Sequence, residues 1–502
     1  MLLSRRKFFS ESAWLAAATT PFTSIGAAAA PAGKRVPGRP NQIIQLVADG
    51  MSMGTLTCAD YLSHLTRKRG LTWMSLCQSP GTQIAWMNMR SLNSIVTDSS
   101  AASSSWGSGS RIVNGVVNVL PDGRHLRPLY SLFGEAGWKR GLVTTTEITH
   151  ATPAGFAANV ESRGSAEAIA AQYLERRVDV LLGGGRKFFT AKDRKDKRDL
   201  LGEFRVHGYE TFDNLADLDK AGLVNRWLGT FAESHLPFTI DHENDPKAQE
   251  KVPTLAKLTE SALRWLGRHG NFILQVEGGR VDHGCHSCDA TGAFFDMIAF
   301  DEALDVCLDF QRSRPDTLIV ITTDHGNGNP GLNGMGDKYG NSAKLLSNLL
   351  RMKCSQSELQ SKIEKIQNEE DIRLVFGQLT GFEPSAQQAA MLMTFLEKRG
   401  QALYESMNSV SVQIGQLLAN HIGVGWTGSA HTGDYVPLVA VGPGCDRFRG
   451  FIQNTDVFDH YLSLAKIDFK NPEVPLLAES GPDAMSAESV AEAGGPGAAF
   501  LV

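Results

Sequence analysis

The sequence predicts an α/β protein: a mostly parallel central sheet flanked by helices on both faces, with a helical insertion. Three observations predict it. Short apolar runs alternate with segments of helical spacing. The runs are apolar almost throughout rather than at every second position, as strands buried on both faces must be. Several of them stop at a carboxylate followed closely by glycine, and open α/β sheets bind ligands beyond the carboxyl ends of their strands.

The chain opens with Ser4-Arg5-Arg6-Lys7-Phe8-Phe9, a mildly apolar stretch, and Ala27-Ala28-Ala29-Ala30. This order reads as a twin-arginine signal peptide over residues 1–30, which implies export of the folded protein to the periplasm or beyond. No other segment has the roughly 20 uninterrupted apolar residues of a membrane span. Formal net charge is −5 over the 502 residues and becomes −7 once the signal is removed, so nothing signals nucleic-acid binding.

The apolar runs at 43–48, 141–146, 178–182, 272–276, 318–322 and 437–441 are the expected strands. Helical spacing marks 165–176 and 293–310. In the second, Ala293, Met297, Phe300, Leu304 and Cys307 recur every three or four residues and form the expected buried face. Residues 41–330 and 431–470 make the predicted core. Between them, 331–430 form the predicted insertion, with helices at 343–352, 371–378, 387–398 and 403–421. The tail, 478–502, is rich in Ala, Gly, Ser, Pro and Glu without Lys or Arg, and its composition predicts disorder.

The seven cysteines are scattered and odd in number, which is no disulfide framework. Cys285 and Cys288 flank His286. A redox pair usually follows a strand in a thioredoxin-like unit, so packing thiols or a local disulfide are the expected roles. Gly183-Gly184-Gly185 lacks the Gly-Lys-Ser/Thr of a phosphate-binding P-loop.

The chemistry concentrates in four places. Leu46-Val47-Ala48-Asp49-Gly50, Leu274-Gln275-Val276-Glu277-Gly278 running on to Asp282 and His286, and Ile321-Thr322-Thr323-Asp324-His325-Gly326 supply carboxylates and imidazoles at strand ends. Val96-Thr97-Asp98-Ser99-Ser100-Ala101-Ala102 supplies hydroxyls at the start of a small-residue helix, where the helix dipole favours an anion. Asp282 and His286 are four apart and face one way on a helical turn. Oxygen and nitrogen donors in this number suit divalent metals and hydrolytic phosphoryl chemistry.

With these motifs in this order from about Asn41 to Cys445, the chain resembles the alkaline phosphatases. The resemblance implies two zinc ions and one magnesium ion. It places Asp282, His286 and His431 on the first zinc and Asp49, Asp324 and His325 on the second. It places Asp49, Thr152 and Glu277 on magnesium. It makes Ser99 the nucleophile, by an ungapped match between Asp98 and Trp106, with Ser100 as the rival. It makes Arg163 the phosphate clamp, since a guanidinium grips two oxygens at once. His150 and His283 occupy the two positions that vary within the family and tune phosphate release. The implied activity is hydrolysis of small phosphate monoesters through a phosphoserine, by an enzyme that is commonly a homodimer. A phosphodiesterase or sulfatase on the same scaffold is one alternative, although Asp98–Ser103 lacks the Cys/Ser-x-Pro-x-Arg context of sulfatases. A non-catalytic zinc or phosphate binder is the other.

Overall fold

The computed structural model describes residues 38–336 and 339–477. The predicted signal peptide and the tail 478–502 lie outside the described residues. Ten strands form one sheet: β1 (Gln42–Val47), β2 (Gln83–Asn88), β3 (Lys139–Glu147), β4 (Val180–Gly184), β5 (Tyr209–Phe212), β6 (Arg226–Thr230), β7 (Phe272–Glu277), β8 (Thr317–Thr322), β13 (Val436–Val441) and β14 (Gly450–Gln453). Between β8 and β13 lie four two-residue strands: β9 (Gly326–Asn327), β10 (Gly331–Leu332), β11 (Val424–Gly425) and β12 (His431–Thr432). The sheet order is β14-β2-β13-β8-β1-β7-β3-β4-β6-β5.

The six apolar runs became β1, β3, β4, β7, β8 and β13, each within a few residues of its expected bounds. The pattern missed β2, β5, β6 and β14. β2 alternates exposed and buried residues, and β5 and β14 are four-residue strands at the two sheet edges. Side chains of β1 divide by parity. Ile44 and Leu46 enter one apolar core, Ile43 and Val47 the other, so the sheet separates two cores as a doubly covered sheet must.

β13 runs antiparallel to both β8 and β2, while β14 runs parallel to β2. All other neighbours in the sheet are parallel, so β13 alone is reversed. This reversal decides the site. A residue just before β13 sits at the same sheet edge as residues just after β1, β7 and β8.

β10 pairs antiparallel with β11 and closes a neck. Beyond it lie the helices Ser342–Ser347, Gln356–Ile363, Glu369–Thr380, Ala386–Leu396 and Val410–Ile422. One expectation needs correction here. Residues 403–421 are not one helix: Glu405–Met407 is a short 3-10 turn, and the helix starts at Val410 because Ser409 accepts the Val412 amide as its cap. Gln356–Ile363 was not anticipated, because Leu359 and Ile363 are the only apolar residues among its eight. Its first turn docks on the core. Asp289 accepts the Gln356 amide at 2.7 Å and Asp241 accepts the Ser355 amide at 2.7 Å.

Candidate metal and phosphate site

The sheet edge gathers the predicted donors into three groups whose ligand atoms lie within 4.8 Å of one another: Asp282, His286 and His431; Asp49, Asp324 and His325; and Asp49, His150 and Glu277. In the first, His286 Nε2 is 3.3 Å from Asp282 Oδ2 and 3.0 Å from His431 Nε2. The helix Arg280–His286 sets Asp282 and His286 one turn apart, and β12 brings in His431 by pairing with Asn327 of β9. Asn327 Nδ2 also donates to Asp282 Oδ1 at 2.7 Å. In the second group, His325 Nε2 is 3.1 Å from Asp324 Oδ2 and 3.7 Å from Asp49 Oδ1. Gly50 has φ +70°, and a Cβ there would come within 2.4 Å of Asp282 Oδ1, so only glycine lets this turn reach the first group.

The third group differs from the expected set in one residue. Thr152 Oγ1 is 3.5 Å from Asp49 Oδ2, as a shared site requires, but His150 also reaches in, its Nδ1 3.8 Å from Glu277 Oε1. A nitrogen donor there admits zinc as well as magnesium.

These donors fit divalent metals on the structure's own terms. Asp49, Glu277, Asp282 and Asp324 are all buried. Asp49 Oδ1, Glu277 Oε1 and Asp324 Oδ2 are shut from water and accept no hydrogen bond. Burial first, then the charges of Asp324, Asp282 and Glu277, hold the Asp49 carboxyl well above the usual carboxylate range. Orphaned oxygens in a crowd of buried carboxylates are costly unless cations compensate them.

Ser99 opens the helix Ser99–Ser108, capped by Asp98, whose Oδ1 accepts the Ala101 amide at 2.9 Å. Ser99 is 1% exposed and its Oγ is 3.2 Å from His325 Nε2. Ser100 points elsewhere and donates to Asp98 Oδ2 at 2.7 Å. The whole helix is buried against Ala151–Ala157, the helix of Thr152. A Cβ on Gly107 would lie 2.0 Å from the Gly155 carbonyl, and Ser103 donates to the Thr152 carbonyl at 2.6 Å. The run of Ser, Ala and Gly is therefore what allows the Ser99 helix and the Thr152 helix to touch backbone to backbone.

Arg163 joins this assembly. Its guanidinium donates to Asp98 Oδ2 at 3.0 Å and lies 3.2 Å from His150 Nε2. Burial pushes Asp98 upward, but the Arg163 charge, the Ser100 hydroxyl and the Ala101 amide outweigh it, so its carboxyl stays below the usual range. His150 and His283 are neighbours, their rings 5.7 Å apart.

No sequence pattern marked His235, whose ring is 4.5 Å from His283 and whose Nδ1 accepts the Glu147 amide at 3.1 Å. Nor was Arg280 anticipated, which donates to His283 Nδ1 at 2.7 Å, although it lies in the Glu277–His286 motif. Burial, then Arg280, His235 and His150, hold His283 well below the usual imidazole range.

Cys285 and Cys288 are both free thiols, which removes the local disulfide from their two expected roles. Cys285 is fully buried near Thr55, and Cys288 donates to the Gly428 carbonyl at 3.3 Å. Gly183 and Gly184 belong to β4 rather than to a turn after it, and the turn begins at Gly185.

The alkaline phosphatase family model matches residues 40–467. Alkaline phosphatase 3 of Bacillus subtilis is 28% identical over 442 residues, which cover 85% of this chain and 89% of that protein. Alkaline phosphatase 4 of the same species is 30% identical over 368 residues, covering 72% and 75%. Among solved structures, Thermus thermophilus alkaline phosphatase gives a TM-score of 0.82 at 30% identity, covering 88% of this chain and 94% of that one. A cold-active alkaline phosphatase from a psychrophilic Shewanella gives 0.71 at 29% identity, covering 84% and 99%. The family match spans the whole sheet, the neck and the donor-bearing edge, and the chain belongs to the alkaline phosphatase family.

Proposed function

We propose that the protein is an exported alkaline phosphatase that hydrolyses small phosphate monoesters through a phosphoserine at Ser99, with two zinc ions and one magnesium ion. One observation supports this above others: the buried Ser99 hydroxyl, 3.2 Å from His325 Nε2, sits among four buried carboxylates, three of which carry an orphaned oxygen. Asp282, His286 and His431 would hold one zinc, Asp49, Asp324 and His325 the other, and Asp49, Thr152 and Glu277 magnesium, with His150 beside it. When bound, these ions lower the pKa of the Ser99 hydroxyl and of the attacking water and neutralise charge on the leaving oxygen.

The chain's own residues account for the rest. Ser99 gives up its hydroxyl proton to solvent, its Oγ attacks phosphorus and the bond to the ester oxygen breaks, releasing an alkoxide that takes a proton from solvent. Water then attacks phosphorus, the Ser99 Oγ–P bond breaks, and Ser99 regains a proton as phosphate leaves. Arg163, held by Asp98 and His150, keeps donors free for two phosphoryl oxygens throughout. Neutral His283 beside His150 offers phosphate no second positive charge, which favours product release.

The test compares p-nitrophenyl phosphate, bis-p-nitrophenyl phosphate and p-nitrophenyl sulfate, with and without chelator. The monoester is expected to be preferred, with activity lost on chelation and restored by zinc plus magnesium. Preference for the diester or the sulfate would overturn the substrate class. Full activity in metal-stripped protein would overturn the mechanism.

A further inference from the structure

We infer that the helical insertion orients one imidazole of the first metal group, with Ser406 as a positioning residue for His286; this rests on the metal reading of Asp282, His286 and His431 proposed above. Ser406 lies in the turn Glu405–Met407, beyond the β10–β11 neck, while Ser429 stands two residues before His431. The Ser429 amide donates to Ser406 Oγ at 3.0 Å, and the Ser429 hydroxyl donates back to the Ser406 carbonyl. This reciprocal pair pins the peptide at Ser429. A Cβ on the preceding Gly428 would lie 3.2 Å from Ser406 Oγ, so glycine permits the close approach. From the opposite side, the Thr427 amide donates to the Gly328 carbonyl and the Gly328 amide to the Ala430 carbonyl, each at 3.0 Å.

The pinned peptide faces the site. The Ser429 carbonyl lies 2.8 Å from His286 Nδ1. A carbonyl only accepts, so His286 keeps its proton on Nδ1 and turns the Nε2 lone pair toward the space it shares with Asp282 and His431. An outer partner of this kind fixes both tautomer and ring direction of a metal-ligating histidine. His431 is held differently, with its Nδ1 2.9 Å from the Thr97 carbonyl, two residues before Ser99. One imidazole of the group is thus oriented from the insertion and the other from the nucleophile's segment.

Zinc release tests this. Metal-loaded parent, Ser406→Ala and Ser406→Thr proteins are challenged with a chromogenic chelator and the release of zinc is timed. Ser406→Ala is expected to lose one zinc about tenfold faster, the low end of effects seen for outer partners. Ser406→Thr, which keeps the hydroxyl, is expected to stay near the parental rate. In metal-free protein with 15N-labelled histidine, His286 is expected as the Nδ1–H tautomer in the parent and as a mixture in Ser406→Ala. His286→Ala separates the two readings. If it retains a full zinc complement, the metal-site reading fails. If it loses zinc while Ser406→Ala keeps the parental release rate and tautomer, only the role of Ser406 fails. Equal, fast release from Ser406→Thr and Ser406→Ala would also overturn the hydrogen-bond role.

Discussion

Ser99 and Ser100 are adjacent, yet only one can aim at the donor groups, because successive helical side chains diverge by about 100°. Ser99 Oγ faces His325, whereas Ser100 is committed to Asp98. Ser99→Ala is expected to lower kcat by at least about three orders of magnitude, the scale of removing a covalent nucleophile. Ser100→Ala is expected to cost less than about tenfold, through one lost hydrogen bond. Trapping the phosphoenzyme at low pH and sequencing the labelled peptide checks both. Label on Ser100 would reverse the assignment, and no label on either serine with turnover intact would remove the covalent step. The Asp98–Ser99 motif was readable because it is contiguous. The Arg163–Asp98 and Arg163–His150 contacts were not, since they join residues 65 and 13 positions apart through a loop whose path no local pattern encodes.

At the scale of elements, the helix Ala290–Ser313 packs against the helix Arg280–His286, which carries Asp282 and His286. Its expected buried face is correct: Ala293, Met297, Phe300, Leu304 and Cys307 are all buried. On its first turns, however, Asp296 is buried too, accepting the Thr239 amide at 2.9 Å. Burial pushes Asp296 up to about 7 from an ordinary 3.8, despite that amide and Arg280. The folded protein therefore holds a proton that the unfolded chain releases between about pH 4 and 7. Over that window the Asp296 contribution falls as pH rises, by on the order of 4 kcal/mol at most. Asp296→Asn cannot titrate and keeps an oxygen for the Thr239 amide. Its stability relative to the parent, from denaturant unfolding at fixed metal, is expected to rise between pH 4 and 7 and level off above. A difference independent of pH would show that Asp296 ionises in the fold as freely as in the unfolded chain.

For the whole molecule, one end of the sheet stands out. Parallel sheets are covered on both faces, but Ile84, Trp86, Tyr435 and Phe451 around β2, β13 and β14 are 44% to 57% exposed. Trp86, Tyr435 and Phe451, with Met51 and Met53, border an open cleft of about 610 Å³ beside Gly326 and Asp434. We expect a second copy of the chain to cover this face. The parent should run as a dimer in size-exclusion chromatography with light scattering, and Trp86→Asp as a monomer. A monomeric parent would refute it. Export is a second whole-chain prediction. Replacing Arg5-Arg6 with Lys-Lys should strand the precursor in the cytoplasm, and fractionation showing wild-type export would exclude the twin-arginine route. Among the described residues no helix is long and apolar enough to cross a membrane.

The sequence by itself determined which runs become central strands and that Asp49, Glu277 and Asp324 lie at their ends. Both follow from burial, which writes a local apolar pattern and halts it where polar groups meet the sheet edge. It did not determine that β13 runs backwards, which puts His431, just before that strand, at the edge where the other donors follow theirs. Nor did it place His150 in the third group, set Arg280 against His283, or bring Ser406 of the insertion to Ser429. Strand direction and contacts between distant segments depend on which surfaces pack together, and hydrophobic periodicity records only that a residue is buried, not against what.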